Sequence, residues 1–217
     1  MIEELLPSAA RVSEARGDGG SEPLFAVEAR LVARAVDKRR REFATGRTCA
    51  RRALAALGLP ATAVPSGDRG QPLWPPGVVG SITHCQGYRA CAVAHATELA
   101  AIGVDAEPHA PLPAGLIGDI ALEPELAGLA SLASSAPDVH WGRLLFCAKE
   151  AVYKAWYPLA EKPLDFGEAL VRFESSGWFS ARLLVPGPTV NGRRVDCFRG
   201  RWAARDGLAL AAVAVRA

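Results

Sequence analysis

Long apolar runs are missing from this 217-residue chain: none approaches the ~18 residues a membrane-spanning helix needs. The opening Met1-Ile2-Glu3-Glu4-Leu5-Leu6-Pro7 lacks the basic and apolar regions of a secretion signal, so the expected setting is the cytoplasm, with no membrane partner. Cysteine is sparse and odd in number. Cys49, Cys85, Cys91, Cys147 and Cys197 fall at no metal-ligand spacing, which favours reduced thiols over a zinc site or a disulfide framework. No Gly-x-x-x-x-Gly-Lys loop is present, and this disfavours the nucleotide phosphotransferases built on one. Lysine is nearly absent too, with only Lys38, Lys149, Lys154 and Lys162 among 25 basic residues. No internal repeat is visible.

Half of the residues are apolar (50%), enough to bury a core as one unit or two small lobes. Net charge is only +2, but it is unevenly spread: nine Lys or Arg residues lie between Arg30 and Arg52, against Asp37 and Glu42. The stretch from Arg39 to Leu54 reads as a basic amphipathic helix. Such a face is solvated or meets a polyanion, and nothing in it says which polyanion, nucleic acid included.

The densest signal is Phe146-Cys147-Ala148-Lys149-Glu150-Ala151-Val152-Tyr153-Lys154-Ala155-Trp156. Trp141, Leu145, Ala148, Val152 and Trp156 recur at helical spacing as a core stripe. Glu150 and Lys154, four residues apart, share another face with Phe146, Tyr153 and Tyr157. On an isolated helix that pair is a surface ion pair contributing about 0.3 to 0.5 kcal/mol. Pro158 is expected to stop the helix.

A second acidic site gives the pair another reading. In Gly103-Val104-Asp105-Ala106-Glu107-Pro108 the two carboxylates stand at i and i+2 of a strand, on one face. Gly103 permits close backbone approach and Pro108 ends the pairing. Alone this is also a polar strand exit; with a distant helical Glu it supplies hard oxygen ligands suited to Mg²⁺. A third region, Arg69-Gly70-Gln71-Pro72 followed by the strand Val78-Val79-Gly80-Ser81-Ile82-Thr83-His84, places hydrogen-bond donors where they can receive an anionic group. By itself His84 is equally a satisfied structural histidine.

Periodicity gives an irregular opening to about Gly20, then helices near residues 23–37 and 38–57. Strands follow near 78–83, 90–94 and 99–104, and a Pro-rich connection runs to Pro113. Helices come next near 114–120, 123–132 and 139–157, and antiparallel strands near 169–173, 180–185, 194–202 and 208–215. Trp202 and the last strand read as core.

Four blocks, in this order, resemble the Sfp-type 4′-phosphopantetheinyl transferases, in the group that includes the actinobacterial PptT-like and enterobactin-synthetase-component-D-like enzymes. They are Arg39 to Leu54, Gly67 to His84, Gly103 to Pro108 and Phe146 to Trp156; the last two are the specific signature. The resemblance implies an α+β fold of two similar lobes related by a pseudo-twofold axis, 1–102 and 103–217, with the active site between them. It implies a monomer that moves the phosphopantetheine arm of coenzyme A onto a serine of an apo acyl or peptidyl carrier protein, in fatty-acid, polyketide, nonribosomal-peptide or siderophore synthesis. Mg²⁺ would be held by Asp105, Glu107 and Glu150, with the Ala106 main chain or a water.

In the same pattern Glu150 accepts the serine proton, directly or through water, and Lys154 holds a pyrophosphate oxygen. Arg39, Arg47, Arg69 and His84 grip the 3′-phosphate and its neighbours, while Gly70, Gln71, Pro72 and Thr83 shape the nucleotide pocket. Lys149 is an adjacent cation of less defined role. Thr83 stands where the wider family has serine, and Pro163 where relatives can carry an aromatic that lines the pantetheine channel. The cations near Glu150 are expected to lower its pKa, which weakens it as a base. A nonenzymatic binding module using the Arg39 to Arg52 patch is the rival reading, and it leaves Asp105, Glu107 and Glu150 idle.

Overall fold

The alternating segments become antiparallel sheets, each crossed by a long helix. The computed structural model describes residues 1–217. A 3₁₀ turn at Ile2–Leu5 leads to β1 (Arg11–Arg16), α1 (Ala26–Leu31), α2 (Asp37–Ala56), β2 (Val78–Cys85), β3 (Tyr88–His95) and β4 (Leu99–Pro108). Then come α3 (Leu116–Ile120), α4 (Glu123–Ser135), α5 (Trp141–Ala160), a 3₁₀ turn at Phe166–Glu168, β5 (Ala169–Phe173), β6 (Trp178–Leu183), β7 (Thr189–Val190), β8 (Arg193–Arg194), β9 (Cys197–Arg205) and β10 (Leu208–Arg216). One sheet runs β1-β3-β2 and the other β4-β10-β9-β6-β5, with β7 and β8 as a separate small hairpin. No helix is long and apolar enough to cross a membrane. All five cysteines are free thiols, and only Cys197 is exposed.

The fold is α+β, as expected, but several boundaries differ for identifiable reasons. The opening is not irregular: β1 pairs along β3 from Arg11↔Val93 to Arg16↔Tyr88. Its Arg-Val-Ser-Glu-Ala-Arg sequence is half exposed throughout, so it carries no apolar alternation to read. The first helix covers only Ala26–Leu31. The long helix continues past Pro158 to Ala160 and ends where Glu161 adopts φ 52° and donates its N–H to the Tyr157 carbonyl. Pro158 costs the helix one N–H, yet its φ is already helical and three residues complete the last turn. The expected strand over 194–202 is interrupted at Val195 and Asp196: Arg193–Arg194 instead pairs with Thr189–Val190 across the turn Asn191-Gly192, both at positive φ (49° and 74°), the signature of a tight hairpin, and the longer strand starts at Cys197.

Strand parity distributes the core into three layers. Even positions of β4 (Ile102, Val104, Ala106) and β10 (Leu208, Leu210, Ala212) meet Ala90, Ala92 and Ala94 of β3 in a core shared by the two sheets. The opposite face of β3, with Cys91 and Val93, packs under α2 residues Cys49, Ala50, Ala53 and Leu54. Ala101 of β4 and Ala209, Ala211 and Val213 of β10 pack under α5 residues Leu144, Leu145, Ala148, Ala151, Val152 and Ala155. The order of layers is therefore helix, sheet, shared core, sheet, helix. Odd positions of β4 lie beneath α5, and Asp105 and Glu107 are among them.

Gly103 sets how closely α5 sits. A Cβ at this position would overlap the Ala151 carbonyl oxygen and lie 2.7 Å from the Ala155 nitrogen, both of them helix backbone. Backbone cannot rotate away as a side-chain tip can, so α5 has to rise off the sheet. Gly103→Ala is expected to destabilise by about 3 kcal/mol, at the upper end for overpacking. Thermal unfolding of a chain this size should register that as a fall in Tm of roughly 6 to 12 °C.

Candidate active site

The edge of β4 that faces away from β10 is closed by side chains. The Val104 N–H donates to Ser81 Oγ (3.1 Å) and the Ala106 N–H to Thr83 Oγ1 (3.0 Å). Both hydroxyls come from β2, the edge strand of the first sheet, and both are buried. Two serine-type side chains at i and i+2 thus replace a backbone ladder between the sheets. Thr83 Oγ1 also donates to Asp105 Oδ1 (3.1 Å), so the joint between the halves orients a carboxylate. With its N–H taken and its methyl in the shared core, Ala106 can offer a metal only its carbonyl.

Lys154 comes down from α5 onto the same strand edge. Its Nζ donates to Asp105 Oδ1 (2.6 Å) and to the Val104 carbonyl (3.2 Å). Burial acts to lower the pKa of this ammonium, but the Asp105 charge and hydrogen bond outweigh it and the net shift is upward. Asp105 Oδ2 is buried and has no partner. Glu107, next on this face, is held through Oε2 by Arg143 Nη1 at 3.3 Å. Its pKa is raised, first by burial and then by the Asp105 charge.

Glu150 is likewise pushed up, by burial first and Asp105 second, with Lys154 offsetting only part. Lys154 does pull it down, as expected, but burial is the larger effect. No three His, Cys, Asp or Glu side chains stand close enough to form a metal cage on their own.

Glu150 borders two hollows. The larger, about 790 Å³, runs between the halves and is lined by Arg69, Gly70, Gln71, Pro72 and Trp74 on one side and by Glu150, Tyr153, Lys154 and Tyr157 on the other. The loop carrying the first group is closed by Gly67 N–H to the Gln71 carbonyl (2.8 Å) and by the Ser66–Pro72 bridge. The Gln71 side chain is spent inside this loop, accepting the Arg69 N–H at 3.0 Å. The smaller hollow, about 190 Å³, is lined by Lys149, Glu150, Tyr153, Leu164, Asp165, Phe166 and Ala169. Leu164 and Phe166 supply apolar surface to this hollow, which Pro163 does not line.

The remaining expected residues lie near the cleft without lining it. Arg39 Nη1 is 2.9 Å from His84 Nε2; arginine can only donate, so Nε2 accepts and the ring is neutral. Desolvation and then the Arg39 charge hold the His84 pKa below its ordinary value, which agrees. Arg47 is buried, stacks on the Phe43 ring at 4.1 Å and donates to Ser66 Oγ (2.8 Å), while its Nε has no partner. Burial lowers its pKa to about 10, and it remains a cation at neutral pH.

The basic run is therefore not a uniform solvated face: Arg51 is also buried and pairs with Glu28 (3.2 Å) and Glu22 (3.0 Å). Lys149 turns out to be spent on the buried Glu125 (2.8 Å), which pins α5 to α4. Sequence reasoning missed the seam role of Ser81 and missed Glu125 and Arg143 altogether. Arg143 was within reach, since it lies seven residues before Glu150 on one helical stripe.

Two family models match the chain: the 4′-phosphopantetheinyl transferase N-terminal domain over residues 27–94, and the 4′-phosphopantetheinyl transferase superfamily over residues 101–196. The chain is 56% identical over 221 residues to 4′-phosphopantetheinyl transferase Svp of Streptomyces mobaraensis, covering 100% of this chain and 90% of that protein. It is 47% identical over 223 residues to 4′-phosphopantetheinyl transferase Npt of Nocardia iowensis, covering 99% of each. Against 4′-phosphopantetheinyl transferase PptT of Mycobacterium tuberculosis it is 47% identical over 191 residues, covering 86% of this chain and 83% of the relative.

The seam makes a separable prediction. Thr83→Val keeps the shape but leaves the buried Ala106 N–H and Asp105 Oδ1 each short of a partner, a loss of about 1 to 3 kcal/mol. Thr83→Ser retains the hydroxyl and is expected to stay within about 1 kcal/mol of the parent, since only a methyl is lost. Denaturant midpoints of the pair check this.

Proposed function

The chain belongs to the 4′-phosphopantetheinyl transferase superfamily, and from that premise we propose that the cleft binds coenzyme A and delivers its phosphopantetheine arm to a serine of an apo carrier-protein domain. In balanced form, the serine oxygen forms a bond to the phosphorus attached to pantetheine. The pyrophosphate P–O bond breaks, 3′,5′-ADP leaves with the electron pair, and the serine proton goes to Glu150. Residues 1–102 supply the contacts to the 3′-phosphate and adenine; residues 103–217 supply the carboxylates and α5.

The observation that carries this reading is Asp105. Its charge is met on one side only: Oδ1 is fixed by Lys154 and Thr83, while the buried Oδ2 has no partner, and a buried acceptor left unmet is costly until a donor or a cation reaches it. Asp105 also raises the pKa of both Glu107 and Glu150, so three carboxylates feel one another. Mg²⁺ characteristically takes one or two carboxylates and completes its shell with water and substrate phosphate, so a closed protein cage is not needed. Asp105 and Glu107, with Glu150 beside them, would hold it, and the bound ion would offset charge developing on the pyrophosphate oxygens.

The chain's own groups do the rest. Lys154, fixed by Asp105 and the β4 carbonyl, presents a cation at the cleft wall toward the pyrophosphate. Arg69 reaches in from the opposite wall, and Arg39, Arg47 and the neutral His84 stand behind it for the 3′-phosphate. The unpartnered Arg47 Nε supports that assignment. Gly70, Gln71 and Pro72 form the rigid lip against which the adenine rests, and Gln71 acts there by bracing the loop. Glu150 stands where it can take the serine proton, and a loose phosphoryl transition state asks for little base strength. The 190 Å³ hollow beside it has apolar walls for the pantetheine arm.

Intact mass of an apo acyl or peptidyl carrier protein, after incubation with this protein, coenzyme A and Mg²⁺, tests the reading. A gain of one phosphopantetheine supports it; no gain and no coenzyme A binding in calorimetry overturn it. Glu150→Gln is expected to lower single-turnover rates by about 10² to 10⁴, the span of a general base, with coenzyme A affinity little changed. Because a folded carboxyl with raised pKa favours its protonated form, its ionisation weakens the fold as pH rises through that value; the same substitution should therefore raise Tm at neutral pH.

A further inference from the structure

The proposed chemistry uses Glu150 and Lys154 of α5, but the helix begins with a third grip. Arg143, in its first turn, spends all three of its nitrogens on the segment that follows β4. Nη1 donates to Glu107 Oε2 (3.3 Å), Nε to the Ala110 carbonyl (3.2 Å) and Nη2 to the Pro111 carbonyl (2.9 Å). The residue before the helix adds a fourth tie, the His140 N–H donating to His109 Nε2 at 3.0 Å. Arg143 is largely shielded, with 15% of its side chain exposed, so these are not loose surface contacts.

Arg143 lies two turns before Glu150, on the same stripe of the helix. One face of α5 therefore carries, in order, a cation that holds Glu107, the carboxylate Glu150, and a cation, Lys154, that holds Asp105. The two carboxylates of β4 are each oriented by a different cation of one rigid helix. Lys154 faces the cleft and has a direct task in the proposed reaction. Arg143 does not line the cleft, and its two carbonyl bonds fix where the guanidinium stands whatever Glu107 does.

We propose that Arg143 is a positioning residue that aims the Glu107 carboxylate at the metal position and so sets how tightly the ion binds. This rests on the transferase reading of the site, in which Glu107 is a metal ligand. Planarity matters here. A guanidinium reaches a carboxylate and two carbonyls at once in a fixed fork, which an ammonium cannot do. Hydrogen-bond partners of ligating carboxylates typically contribute 10- to 100-fold to metal affinity.

The sign of the effect makes the test decisive. Removing a cation near a metal position would, by charge alone, tighten metal binding; a weakening therefore reports lost orientation. Mn²⁺ affinity, measured by electron paramagnetic resonance on the full chain with coenzyme A present, is expected to fall at least tenfold in Arg143→Met and to recover partly in Arg143→Lys. The Mg²⁺ concentration for half-maximal turnover should rise by the same factor, and coenzyme A affinity in the presence of EDTA should stay within twofold of the parent.

Unchanged or tighter Mn²⁺ binding in Arg143→Met overturns the inference, and so does a joint loss of coenzyme A affinity and Tm, which marks a merely structural role. Glu107→Gln separates the levels. If it leaves Mn²⁺ affinity untouched, Glu107 is no ligand and the inference falls with that reading of the site. If it weakens Mn²⁺ while Arg143→Met does not, only the inference falls.

Discussion

Everything in the cleft depends on the absence of one methyl group. At Gly103 the backbone of β4 touches the backbone of α5 at Ala151 and Ala155, and no side chain could be trimmed to recover that distance. Because the contact is backbone to backbone, the height of α5 above the sheet is fixed by van der Waals radii and does not follow from rotamer choice. Lys154 can then reach both Asp105 and the Val104 carbonyl, and Arg143 can reach Glu107, with side chains of ordinary length. The alanines on the facing surfaces of α5 and β10 extend the same close approach.

Charge inside the protein is of two kinds. Two buried carboxylates are fully paired: Glu28 accepts from Phe25, Val64 and Arg51, and Glu125 accepts from Leu122, Val171 and Lys149, so these carboxylates act as pins between elements. Their value lies less in net stability than in the penalty for breaking them, which leaves a buried charge alone. The charges at and beside the cleft are incompletely paired. Asp105 keeps an oxygen free, Glu107 and Glu150 are raised in pKa, and Arg47 keeps an unpartnered Nε. Unmet polar atoms of both signs thus stand at and beside the cleft, and the well-paired pins elsewhere help the fold to tolerate them.

Much of this was legible in the chain because period and chemistry coincided. The i, i+4 pair on α5, the i, i+2 pair on β4 and the hydroxyls of β2 each projected from one face for the reason their spacing implied. What escaped reading had no local signal. β1 is a half-polar strand that exists because β3 offers it an edge, and α5 outlasts Pro158 because its last turn is completed by residues after the proline. Lys149 looked like Lys154 in sequence, and only the fold reveals that α4 brings Glu125 to one and β4 brings Asp105 to the other. Lys154 pulls the Glu150 pKa down as its spacing implied, but burial, a property of three dimensions, exceeds that pull.

The hydroxyl joint between β2 and β4 has a further consequence. A backbone ladder would have welded the two sheets into one continuous surface, with strand registers mutually locked. Two side-chain hydrogen bonds hold instead, each on a rotatable bond, so the halves are coupled through a hinge-like stitch with a shared apolar core behind it. Sequence on either side can drift in strand length, edge shape or loop size without breaking a ladder, provided the two hydroxyls and the edge they cover persist. Such a joint lets each half change on its own while the geometry where they meet stays the same.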